Sequence, residues 1–120
     1  MTLRECFEQF GGDYEGAIGR LGKEERIMKY SKRFAEGNDY ELIESSLSAG
    51  NNEEAFRNVH NLKGVALNLG LTPLHETAHI LCEALRPGNP PVSEDEIGVM
   101  LKNVKTTYDN VVELLLKADE

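Results

Sequence analysis

Residues 54–70 read EAFRNVHNLKGVALNLG, from Glu54 to Gly70. Laid out at ~100° per residue, Ala55, Val59, Leu62, Ala66 and Leu69 fall on one side, flanked by Val65. That spacing predicts a helix with a core-facing stripe. His60 lies almost opposite the stripe, and Lys63 and Gly64, three and four residues on, flank it on the same outer face. The pattern therefore predicts a histidine held toward water from a well-anchored helix. A cation stands beside it, and the next residue on its face has no side chain. Glycine in mid-helix costs ~1 kcal/mol against alanine, which a sequence tolerates where something must come close to the backbone. An ammonium neighbour does not help a structural imidazole but suits one that carries an anion. Phe56 and Leu67 share the outward side with His60, and apolar residues around a solvent-facing polar group read as a docking surface, with Arg57 at its edge.

His60-x-Leu62-Lys63-Gly64, followed by Gly70 six residues later, resembles the signature of histidine phosphotransfer (HPt) domains. The local motif covers eleven residues, and the helical layout extends the resemblance over most of the chain. The resemblance implies a four-helix core and a relay of phosphoryl groups between receiver domains of two-component systems. It makes His60 the phosphoacceptor, its Nε2 attacking an aspartyl phosphate on the receiver of a hybrid histidine kinase and passing the group to the receiver of a response regulator. It implies that Mg²⁺ and the other catalytic groups come from the receiver. On this reading Lys63 is expected to neutralise part of the phosphoryl charge, Gly64 to open the approach, and Gly70 to end the helix in a left-handed residue. Family members often place glutamine or glutamate on the next helix as hydrogen-bond partner of the histidine. The corresponding place here is Cys82, a departure, because a thiol is a weak partner. His79 and Glu83 are the substitutes on the same helix, and Arg86 is a further candidate to hold phosphate.

The chain has 120 residues, 40% hydrophobic and 28% charged, with a net charge of −8. This fits one globular domain spanning residues 1–120. The acidic balance disfavours nucleic acid; the cations read as scattered, with Arg57 and Lys63 bracketing His60. No apolar run approaches the ~20 residues of a membrane span, and the opening MTLRECFEQF lacks a signal core. Cys6 and Cys82 read as reduced cytosolic thiols rather than a disulfide framework. There is no phosphate-cradling glycine loop, kinase signature or dinucleotide fingerprint. The expectation is a cytoplasmic, monomeric carrier, not an enzyme, with no ATP site and no cofactor of its own.

Periodicity and capping residues divide the chain into helices without strands. Thr2-x-x-Glu5 is a capping box for a short helix stopped by Gly11-Gly12. Asp13 caps a second short turn, and both short pieces are expected across the end of a bundle. Further helices are expected over 24–36, with Gly37 as cap; from Asp39 to Gly50; from Asn52 to Gly70; from an N-cap at Thr72 before Pro73; and from a capping box at Ser93-x-x-Glu96 to about Ala118. The fold predicted is all-α: an antiparallel four-helix bundle with short additional N-terminal helices.

One motif competes. His75 to His79 reads HETAH, the H-E-x-x-H pattern of zinc peptidases, with Glu76 as base and Cys82 as a third ligand. The pattern arises often by chance on helices, lacks a downstream partner and sits in a chain with little room for a cleft. Polar residues bordering a core face are the preferred reading, so no metal site is assigned. A zinc hydrolase at His75 and His79, or a receiver-binding module without phosphotransfer, remain the alternatives.

Overall fold

A computed structural model describes residues 1–119, and all its regular structure is helical. The helices are α1 (Leu3–Phe10), α2 (Tyr14–Leu21), α3 (Glu24–Ala35), α4 (Asp39–Ser48), α5 (Asn52–Leu69), α6 (Thr72–Leu85) and α7 (Glu94–Leu116). α5 packs on α4 and α6, and α7 closes the bundle against both of them. α7 is 23 residues long, about 34 Å at the usual rise, and the molecule measures 43 × 23 × 19 Å.

The stripe read on α5 is the buried one: Ala55, Val59, Leu62, Ala66 and Leu69 all lie inside. One apolar cluster joins it to Leu74, Ala78 and Leu81 of α6 and to Val104, Tyr108, Val111 and Leu115 of α7. The first three helices share this cluster through Leu3, Phe7, Phe10, Ala17, Ile27 and Phe34. α1 lies against α7, where the Cys6 thiol donates to the Leu114 carbonyl at 3.2 Å. α2 lies across the end of α5: the Asp13 N–H donates to the Gly70 carbonyl at 2.8 Å, and Arg20 Nε donates to the Asn68 carbonyl at 3.1 Å.

Helix ends follow local chemistry, with corrections. Thr2 and Glu5 form the reciprocal capping box, and Asp13 caps the Gly16 N–H. α5 starts at Asn52 as expected, and Asn51 before it takes the cap position, its side chain accepting from the Glu54 N–H at 3.1 Å. Its other end is a Schellman turn. Gly70 has φ +73°, the Leu71 N–H donates to Ala66 O at 2.8 Å, and the Gly70 N–H donates to Leu67 O at 3.2 Å. That turn buries Leu71, which occupies the cap position of α6, so Thr72 is already helical and its hydroxyl caps nothing. Asn38, not Asp39, precedes α4, and α3 closes at Glu36 in right-handed geometry rather than at Gly37. Ser93 caps Glu96 at 3.2 Å, but no described bond returns from the Glu96 side chain.

Candidate functional site

The α5 stripe fixes the rotation of the helix, and the rotation fixes what faces out. His60 is exposed, and its ring lies 5.9 Å from that of Phe56, one turn back. The described hydrogen bonds include none to its nitrogens, whereas the other two histidines are both engaged. Gly64 is open on its outer side: a methyl group added there meets nothing within 4 Å. No intramolecular packing demands this glycine, so its cost in helix stability has no return inside the fold. Leu67, a turn further, is 51% exposed. Phe56, His60, Gly64 and Leu67 thus form a continuous outward track along α5.

Gly70 carries two constraints. Its left-handed backbone closes α5, and a Cβ there would collide with the Asp13 carbonyl oxygen. The glycine therefore also admits the start of α2 against the end of α5.

Phe56, Arg57, Asn58, His60, Asn61 and Arg86 line a cleft of about 460 Å³. Arg86, just past the end of α6, lays its guanidinium 5.2 Å from the centre of the Phe56 ring. It is held there by Glu83, which accepts at 3.0–3.2 Å from Nε and a terminal nitrogen. The Arg86 hydrogen bonds hold the Glu83 carboxyl below the usual carboxylate range. Arg57 turns away from His60: it pairs with Glu53 at 3.1 Å and Glu54 at 3.2 Å toward the start of α5.

Lys63 is half-buried, and its ammonium reaches α6 rather than His60, lying 3.3 Å from His79 Nδ1. An ammonium only donates, so Nδ1 of His79 is the acceptor. His75 Nδ1 lies 3.2 Å from the Lys63 carbonyl, which only accepts, so that nitrogen carries the proton. The two imidazoles stack with centroids 6.3 Å apart, and both give one nitrogen to the same lysine. Among the described residues no group of three or more His, Cys, Asp or Glu side chains is placed to hold a metal ion. Cys82 is wholly buried, and burial raises its thiol pKa against the opposing pull of Lys63 and Arg86, so the thiol stays protonated at neutral pH. Of the side chains named on α6 as partners for His60, His79 engages Lys63, Glu83 engages Arg86, and Cys82 lies in the core.

Two arrangements escaped the sequence reading: the Arg86–Phe56 stack beside His60, and the Lys63–His79 contact. Both cross from α5 to α6. The i,i+3 spacing of Glu83 and Arg86 is a visible signal for the ion pair, but the sequence carries none for the aromatic ring beneath it.

The fold and the site define an all-helical bundle that presents one histidine outward from its central helix. The chain belongs to the Hpt domain family, whose model matches residues 37–117, from the loop before α4 to the end of α7. Domains of this family carry histidine phosphotransfer in phosphorelays. No curated protein and no solved structure matches the chain. No helix among the described residues is long and apolar enough to cross a membrane.

Proposed function

We propose that this chain is a histidine phosphocarrier that relays phosphoryl groups between receiver-domain aspartates through His60. The observation that supports the reading is the exposure of His60, free of described hydrogen bonds, at the centre of an open α5 track within the family-matched residues. The unprotonated Nε2 attacks the phosphorus of an aspartyl phosphate. An N–P bond forms, the acyl O–P bond breaks, and the aspartate leaves as carboxylate. The ring keeps its Nδ1 proton until solvent takes it. Reversal onto a second receiver delivers the group. Such transfer depends on positioning and charge neutralisation more than on covalent help from the carrier.

Arg86 lines the His60 cleft, so a rotation from Glu83 brings it to the phosphoryl oxygens. Lys63 reaches them by leaving His79 on its flexible stem. Gly64 and Leu67 seat the receiver, with Phe56 beneath and Arg57 at the rim. The receivers are those of a hybrid histidine kinase and of a response regulator, and they bring the Mg²⁺. The chain itself acts as a monomeric cytoplasmic carrier, with no ATP site. The test is incubation with a phosphorylated receiver domain. Acid-labile label should appear on the wild type and on His75→Ala and His79→Ala, and be absent from His60→Ala. Label kept by His60→Ala contradicts the assignment.

A further inference from the structure

The cations are not scattered along the chain. Residues 20–33 hold six of the thirteen Lys and Arg but only two of the 21 Asp and Glu, leaving seven cations against nineteen acids elsewhere. Among the described residues Arg20, Lys23, Arg26, Lys29, Lys32 and Arg33 have no carboxylate partner, whereas Arg4, Arg57, Arg86, Lys105 and Lys117 are all ion-paired. Arg20, Arg26 and Lys32 donate instead to the backbone carbonyls of Asn68, Leu21 and Leu116. Lys29 and Arg33 stand 5.8 and 5.9 Å from the ring centre of Tyr30, which is 39% exposed. Tyr30 and Arg33 border a cleft of about 360 Å³ lined by Phe34, Val65, Asn68 and Leu69. Val65, Asn68 and Leu69 belong to α5, the helix that carries His60. Arg20 shares a second cleft with Leu67, at the end of the outward track. Arg20 and Arg33, with Tyr30, therefore border the C-terminal half of α5, the helix that carries His60.

An acidic chain repels an acidic partner. A receiver that holds an aspartyl phosphate and a Mg²⁺ ion does so with carboxylates, so its docking face is acidic. We propose that the cation face of α2 and α3, with the Tyr30 cleft at its border, is a second contact surface for the receiver domain and steers it onto His60. This rests on the phosphocarrier reading of His60. Charge steering of this kind raises association ~10- to 1,000-fold and fades with ionic strength, because the screening length falls to ~10 Å at 0.1 M salt.

The experiment compares wild type, Lys29→Glu/Arg33→Glu on α3, and Lys102→Glu/Lys105→Glu on α7, which makes the same charge change. Circular dichroism checks that each is folded. Transfer rate at limiting receiver and receiver affinity are measured at low and high salt. The α3 variant should lose about tenfold or more in both at low salt and recover most of it at high salt. Its end-point phosphorylation should be unchanged, and the α7 variant should stay close to wild type. Equal losses in the two variants, or no loss in the α3 variant, overturn the surface. If wild type binds a receiver but accepts no phosphate, the His60 reading fails, and the affinity comparison alone still decides the surface. If wild type binds no receiver, both fall.

Discussion

Gly64 separates what the fold needs from what docking needs. Beyond its own helix backbone, nothing among the described residues lies within 4 Å of where its side chain would be, and glycine inside a helix costs about 0.5–1 kcal/mol against alanine. Gly64→Ala should therefore raise stability by about that amount in urea unfolding, while transfer from a receiver slows, and Gly64→Gln should slow it further. Transfer at the wild-type rate in both variants would remove the docking role. The outward placement of His60 and Gly64 was legible because both sit on one helix, whose rotation the apolar stripe fixes. The engagement of Lys63 with His79, and of Arg86 with Phe56, was not. Those contacts depend on how α6 crosses α5, which is set by packing and leaves no local signature. The cation cluster was present in the sequence, but a net charge sums over the chain and erases order.

At the scale of the element, an aromatic group joins α3, α4 and α7: Phe34 and Tyr40 lie 5.5 and 5.8 Å from Tyr108. Burial, and then the Glu44 carboxylate, push the Tyr40 hydroxyl up to about 12 from its ordinary value of 10.0. Burial also raises Tyr108. Folded values above unfolded ones mean that the stability these groups contribute is complete below pH 10 and is lost as the pH rises toward 12. The melting temperature of wild type should fall steeply across that window, and that of Tyr40→Phe less so. Parallel curves for the two proteins would contradict the burial argument. Helix existence was legible throughout, because every segment has an apolar face at helical spacing. Some boundaries were not. At Thr72 the N-cap pattern lost to the Schellman turn of the preceding helix, whose buried Leu71 leaves no room for a separate cap.

Across the whole molecule, the family match begins at residue 37, but the core does not. Leu3, Phe7, Phe10, Ile27 and Phe34 are all buried in the common cluster. At ~1.5–3 kcal/mol each, their removal is comparable with the ~5–15 kcal/mol that holds a typical domain folded. A chain lacking residues 1–36 should therefore lose cooperative unfolding by circular dichroism; a cooperatively folded fragment would show that α1 to α3 are dispensable to the bundle. With those helices in place, the bundle offers a receiver three histidines in unlike settings. His75 and His79 are bound to Lys63, and His60 alone faces out without a described hydrogen bond. Mass spectrometry that preserves phosphohistidine, applied after incubation with a phosphorylated receiver, distinguishes them directly. The phosphate should be found on His60, with the other two imidazoles unmodified. Phosphate on His75 or His79, or on no histidine, would contradict the account.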